Sequence, residues 1–239
     1  MTLTFLGTSH GLPEPNQRCT SIMIEVSGRY YFIDMGVQVM EDLATRGISP
    51  DDVKGVFITH MHGDHADGLI NFVDLLSWYY KNAQPEIFLP KIEGADAIRS
   101  WLSVSGVTMR ELPFREVHAG PLFDDGYLKV TAIPTQHCPK SHAYLVEAKG
   151  KTVLFTGDLK HPTVDFPEIA KTVPTDLMVC ESVHFPATAY TDILRQCPTK
   201  RVCFHHYRTS YSMPYLLQTM EDLKPLPTFL ATDGLIVNL

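Results

Sequence analysis

The chain has 239 residues and a formal charge of −7 at pH 7, with 44% hydrophobic and 20% charged residues. That balance describes a soluble globular protein with enough chain to bury a full core, and no apolar stretch approaches the roughly 20 residues that cross a bilayer. The negative charge and the lack of a Lys/Arg cluster exclude an extended nucleic-acid-tracking surface, and five scattered cysteines with no CxxC pair exclude a disulfide framework or a cysteine-rich zinc site.

The N-terminal stretch "MTLTFLGTSHG" lacks a basic region followed by a long apolar core. It therefore predicts a first strand and not a signal peptide, and with the unpaired cysteines it points to the cytoplasm. Further along, "SIMIEV", "YYFID", "GVFIT", "EIFL", "LKVTAI", "AYLVE", "TVLFT", "LMVC" and "RVCF" read as strands, separated by helix-compatible segments at 37–45, 66–81, 94–104, 187–196 and 213–222. Many of the runs are apolar at successive positions, as expected for strands covered on both faces. The pattern is α/β, and with no low-complexity linker it predicts one domain over residues 1–239.

Two internal matches suggest related halves. Residues 21–34 align with 142–156, Glu25 on Glu147 and Gly28 on Gly150, each reading as a hairpin that turns at the glycine. Residues 53–60 align with 199–206, which places His60 and His206 at equivalent strand ends. Two such halves packed sheet to sheet would bring both strand ends to one edge.

The segment "FITHMHGDHADG" carries HxHxDH as His60, Met61, His62, Gly63, Asp64 and His65. Neutral imidazole nitrogens and carboxylate oxygens suit zinc, iron or manganese better than thiolate-loving metals. One loop cannot fill two metal sites, so a dinuclear centre requires further donors from other strand ends. His137 after "LKVTAIP", Asp158 after "TVLFTG" and a histidine of "FHHYR" stand at such ends. Strand alternation points His205 and His206 in opposite directions, and the alignment with His60 favours His206.

The order HxHxDH, His, Asp, His resembles the metallo-β-lactamase fold superfamily. The opening "FLGTSHGLPEP" together with "FITHMHGDHADGL" is similar to its ribonuclease Z and phosphodiesterase branch. The resemblance spans nearly the whole chain. It implies an αββα sandwich of two mixed β-sheets flanked by helices, with two divalent metal ions between the sheets, zinc foremost and manganese or iron as alternatives. Carried across, His60, His62 and His137 would hold one ion, Asp64, His65 and His206 the other, and Asp158 would bridge them. A metal-bridging hydroxide would then be the nucleophile, with Asp64 and Asp158 orienting it. In "CESVHF" the resemblance points to His184 as the acid that protonates the leaving group, with Glu181 either orienting it or supporting a metal ligand.

The expected function is a metal-dependent phosphodiesterase acting on a small or cyclic nucleotide-like substrate. A long basic arm of the kind expected in tRNA-processing relatives is missing between His137 and His206. Ester, lactone or thioester hydrolysis on the same metals is the alternative enzyme reading, and a non-catalytic module that holds a small anion is the non-enzyme one. A homodimer is compatible with the sequence, which sets no oligomeric state. His10 is a candidate to support the site from behind, as is Asp34 in "FIDMG". Lys140, Ser141, His142 and Tyr144 read as a solvated loop, and "FVDLLSWYYKN" as a helix with one core face and one exposed face.

Overall fold

All ten apolar runs become strands, and four more join them, in a computed structural model that describes residues 1–239. In chain order these are β1 (Thr2–Gly7), β2 (Ser21–Val26), β3 (Arg29–Ile33), β4 (Val53–Phe57), β5 (Glu86–Leu89), β6 (Phe114–Glu116), β7 (Gly120–Asp124), β8 (Lys129–Pro134), β9 (His142–Ala148), β10 (Lys151–Phe155), β11 (Leu177–Glu181), β12 (Val202–His205), β13 (Thr228–Leu230) and β14 (Ile236–Asn238). They form two seven-stranded sheets, ordered β14-β1-β2-β3-β4-β5-β6 and β13-β12-β11-β10-β9-β8-β7.

The four strands without a clear sequence signal, β6, β7, β13 and β14, are the four sheet edges. Edge strands are short and half solvated, so their side chains carry little of the apolar run that betrays a central strand. Only Val237 among their residues is buried.

Within each sheet an antiparallel hairpin feeds a parallel run. β2 and β3 pair antiparallel and β3 to β6 run parallel; β9 and β10 pair antiparallel and β10 to β13 run parallel. The hairpins turn at Ser27–Gly28 and Lys149–Gly150, where all four residues have positive φ, as a two-residue primed turn requires. The first internal match is therefore real in the fold. The second is not: β4 holds the position in its sheet that β11 holds in the other, whereas β12 corresponds to β5. Short apolar strands resemble one another too closely for sequence alone to assign a neighbour.

Helices α1 (Val39–Thr45), α2 (Gly63–Ala66), α3 (Gly68–Trp78) and α4 (Glu93–Val104) accompany the first sheet. Helices α5 (Pro162–Asp165), α6 (Thr191–Leu194) and α7 (Thr209–Asp222) accompany the second. Three apolar clusters mark the layers. One joins α1, α3 and α4 to the first sheet through Leu43, Phe72, Leu76 and Ile98; one lies between the sheets around Phe5, Ile24, Tyr144 and Val179; one joins the second sheet to α6 and α7 through Leu154, Leu194, Phe204 and Leu216. This is the αββα sandwich of two mixed sheets.

On α3, Phe72, Val73 and Leu76 are fully buried while Trp78, and Tyr79 just past the helix end, are exposed, so the aromatic segment is core on one face. The helix α7 begins four residues earlier than its apolar pattern suggests and contains Pro214. Lys140 is exposed, but Ser141, His142 and Tyr144 are buried, which corrects their reading as a solvated loop. His142 and Tyr144 belong to β9, and the Tyr144 hydroxyl donates to the Ile58 carbonyl at 2.6 Å, tying the two sheets together.

One close approach holds the histidine loop against the first sheet. A side chain at Gly36 would place its Cβ 1.9 Å from the Asp64 carbonyl oxygen and 2.9 Å from that of Thr20. Backbone cannot retreat as a flexible side chain can. Gly36→Ala should therefore cost at least about 2 kcal/mol, at the upper end of overpacking penalties. Urea unfolding checks this, and a midpoint equal to that of the parent would show that the loop can move aside.

Candidate metal centre

β3, β4 and β5 end at the same edge of their sheet, as do β10, β11 and β12 in theirs, because each set is parallel. The intervening antiparallel pairs turn β1 and β8 the same way. Residues that follow these strands therefore meet: Asp34 after β3, the HxHxDH loop after β4, His137 after β8, Asp158 after β10, Glu181 at the end of β11, and His205 and His206 at the end of β12.

The six-residue motif divides its donors between two groups. His60 Nε2 lies 3.0 Å from His62 Nδ1, which lies 3.3 Å from His137 Nε2. His206 Nε2 lies 3.2 Å from both His65 Nε2 and Asp64 Oδ2. Asp158 stands between the groups, its Oδ2 3.6 Å from His60 Nε2, 3.7 Å from His137 Nε2 and 3.4 Å from His65 Nε2, and its Oδ1 3.5 Å from His206 Nδ1. His60, His65, Asp158 and His206 are buried, whereas His137 is half-buried and His62 exposed, so the first group faces solvent.

This donor set fits a pair of divalent cations. Ligands about 2.0–2.1 Å from a tetrahedral ion stand about 3.3–3.4 Å apart, close to the separations above. Asp158 Oδ1 and His206 Nδ1 are also buried with no hydrogen-bond partner. Orphaned buried polar atoms are rare unless something else satisfies them.

The protonation pattern follows from burial and neighbours. Burial, with His65 nearby, drives the His60 pKa down to about 2, which leaves a neutral imidazole with a free lone pair. Burial opposes charge on Asp158, but His206 and His65 outweigh it and hold its pKa well below the usual carboxylate range. Burial likewise opposes charge on His65, and there Asp158 and Asp34 prevail, raising its pKa.

Asp34 holds this arrangement from the first sheet. Its Oδ2 lies 2.8 Å from His65 Nδ1, and its Oδ1 accepts the Thr59 backbone N–H at 2.7 Å. The Thr59 hydroxyl donates to the same carboxylate and lies 3.1 Å from His60 Nδ1. Anchoring the outer nitrogens turns the inner ones toward the cluster. Thr59 stands directly before the motif but carries no metal-ligating signal of its own in the sequence.

The two adjacent histidines separate. His205 lies with Nε2 2.7 Å from the Thr20 hydroxyl and 3.2 Å from the Gly7 carbonyl, and burial lowers its pKa to about 3. His206 is the one that meets the other donors, and it does so with φ +52°, a left-handed conformation uncommon outside glycine. His10 lies against Glu14 at 3.9 Å and touches none of the cluster donors by hydrogen bond.

His184 stands at the rim, one third exposed, with Nδ1 2.9 Å from Glu181 Oε2 and 3.8 Å from Asp158 Oδ2. Burial alone would lower its pKa; the hydrogen bond and charge of Glu181 outweigh that and raise it to about 9. Glu181 is buried and also accepts the backbone N–H groups of Leu159, Val183 and His184, so it is itself well fixed.

A family profile described as "Anti-Pycsar protein Apyc1" matches residues 1–212, and the chain belongs to that family. It is 35% identical over 156 residues to a ribonuclease BN of Cronobacter sakazakii, a match covering 63% of this chain and 51% of that protein. The chain thus spans about half the length of the curated relatives it matches. Among solved structures it is similar to the short form of human tRNase Z, with TM-score 0.76, 20% identity and coverage of 100% and 99% of the two chains. It is also similar to the metallo-β-lactamase fold protein YhfI of Bacillus subtilis, with TM-score 0.79, 15% identity and coverage of 99% and 98%. The fold is that of the metallo-β-lactamase superfamily.

In metal-free protein, NMR titration of His184 should give a midpoint near pH 9, and Glu181→Gln should bring it below the ordinary 6.5. Because the folded pKa is raised, the stability contributed by this pair is fully present below pH 6.5 and is lost as pH rises through about 9. Thermal melts of parent and variant across that window should converge at the alkaline end. An unshifted His184 midpoint in Glu181→Gln would assign the elevation to some other group.

Proposed function

We propose that this member of the Anti-Pycsar protein Apyc1 family is a dinuclear metal-dependent phosphodiesterase, and that the opposition to Pycsar named in the family description extends to this chain. The observation that carries the reading is the Asp158 carboxylate, which lies within 3.7 Å of nitrogens from both donor groups. His60, His62 and His137 would hold one divalent ion and Asp64, His65 and His206 the other, with Asp158 shared. The resemblance to ribonucleases favours phosphorus over carbonyl carbon as the centre attacked.

Two divalent cations in such a site supply Lewis acidity and acidify the attacking water. The protein's own part begins with charge: imidazole ligands are neutral and leave the charge of bound cations largely uncompensated, so the site would admit a phosphodiester anion at the exposed His62 side despite the net −7. Asp64 and Asp158 accept hydrogen bonds from the attacking water and orient it. His184, protonated at neutral pH through Glu181, donates its Nε2 proton to the departing oxygen. Glu181 keeps the Nδ1 side of the ring occupied, so the opposite nitrogen faces the substrate.

The substrate is small. The span from His137 to His206 holds only short elements and no arm that would grip a folded RNA. A cyclic or short linear nucleotide-like phosphodiester fits these features, and the cytoplasm is the matching compartment.

Protein reconstituted with zinc, manganese or iron should hydrolyse a chromogenic phosphodiester, and chelation should abolish turnover. Asp158→Ala should lose bound metal and at least ~10²-fold in rate. His184→Ala should slow a nucleotide substrate, whose alkoxide leaves poorly, far more than a nitrophenyl ester, whose phenolate needs no proton. Hydrolysis of carboxyl esters alongside inert phosphodiesters would replace this reading with the alternative chemistry on the same metals, and metal-dependent anion binding without turnover would replace it with a sensing role.

A further inference from the structure

Asp165, at the end of α5, is 8% exposed, and its hydrogen-bonding partners are backbone amides. Its Oδ2 accepts the N–H of Gln136 at 2.7 Å and of Lys160 at 2.9 Å, and its Oδ1 accepts that of His161 at 3.1 Å. Gln136 immediately precedes His137, and Lys160 and His161 follow Asp158 by two and three residues. One buried carboxylate therefore joins the loop that carries His137 to the loop that carries Asp158.

The sheet itself does not make this connection. β8 and β10, from which the two loops leave, are separated by β9. The other link across the gap is the Thr135 hydroxyl, 3.3 Å from the Asp158 carbonyl and shared with Ser141 at 2.8 Å. The His137 ring, like those of His62 and His206 and unlike those of His60 and His65, has no hydrogen-bonding anchor outside the cluster. Asp34 holds His65 and Thr59 holds His60 by the outer nitrogen, whereas the one hydrogen-bonding neighbour of the His137 ring is His62, itself a cluster donor. The place of His137 is consequently set through its backbone, which Ser141 holds within its own loop by bonding Cys138 and which Asp165 ties to the Asp158 loop through the Gln136 N–H.

We infer that Asp165 is a positioning residue that sets the 3.7 Å approach of His137 to Asp158 before any metal enters, and so selectively supports the ion held by His60, His62 and His137. The inference rests on the dinuclear reading above. Charge-assisted bonds to amide donors suit the task, since they are short and directional and leave the metal-facing atoms free. Asn keeps the volume of Asp165 but turns an NH2 toward one of the three N–H groups, so it loosens the brace with little change in packing.

The test is a competition titration of metal-free protein with zinc against a chromophoric chelator, for parent, Asp165→Asn and Asp176→Asn. Asp176 is the control: its carboxylate accepts the Thr152 N–H at 3.0 Å and pairs with Lys200 at 2.8 Å at the far end of the same strands. Asp165→Asn should bind one of two zinc equivalents at least ~10-fold more weakly, the scale of outer-shell substitutions, and keep the other. Asp176→Asn should bind both as the parent does, even where its melting temperature falls. Parent-like affinity for both equivalents in Asp165→Asn would overturn the inference, as would equal weakening in the control.

Amide exchange in metal-free parent protein decides the matter independently of any variant's folding. The Gln136, Lys160 and His161 amides should be protected without metal, and exchange at free-loop rates would overturn the brace. A parent that binds fewer than two zinc ions would count against the dinuclear reading, and the same exchange data would still report on Asp165.

Discussion

The Asp158 carboxylate is the point on which the molecule is organised. It is 3% exposed, it faces nitrogens from both donor groups, and one of its oxygens has no hydrogen-bond partner. Removing an ion from water costs several kcal/mol even after a protein relaxes around it, so so buried a charge survives only among compensating groups. His65 and His206 provide that compensation in the protein alone. Their own Nε2 atoms stand only 3.2 Å apart in doing so. As lone pairs, the same donors stand at separations that fit divalent cations.

Holding it requires backbone conformations that the rest of the fold must stabilise. Asp34 and His206 both have positive φ, and such residues cost about 1–3 kcal/mol each. Asp34 offsets this by bonding His65 and Thr59 together, and His206 follows a strand whose neighbours on both sides are parallel and whose outer face is packed on α7. The site thus draws on the packing of both sheets. Loosening either sheet would separate donors that come from different sheets, His60 from His137 and His65 from His206.

The loop that follows β1 completes the enclosure. Thr8 and the Arg18 N–H both bond Asp233, and Glu14 accepts the Thr209 N–H at the start of α7 at 2.9 Å. The loop is thereby tied to both chain-distant elements beside the cluster, with Gly11 close enough that a Cβ there would lie 3.3 Å from the Asp64 side chain. Exposure at His62 and His184 leaves the opposite side open to solvent.

The HxHxDH motif was legible without the fold because its six residues are consecutive and their donor chemistry is local. His137 and Asp158 were legible as residues that follow apolar strands, and the central strands themselves were legible because burial on both faces leaves a continuous apolar run. The hairpins at Gly28 and Gly150 announced themselves through the turn they require. What tertiary structure alone decided depends on neighbours that sequence does not encode locally. The edge strands β6, β7, β13 and β14 are half solvated and exist because a partner offers a ladder; β11, not β12, occupies the place matching β4; and His142 and Tyr144, with Ser141 just before them, are buried because β9 is an interior strand paired on both sides. His206 meets the cluster, and His205 does not, because the chain turns left-handed at the end of β12. Asp165 left no trace in the sequence because its partners are backbone amides up to 29 positions away, which any residue but proline would supply.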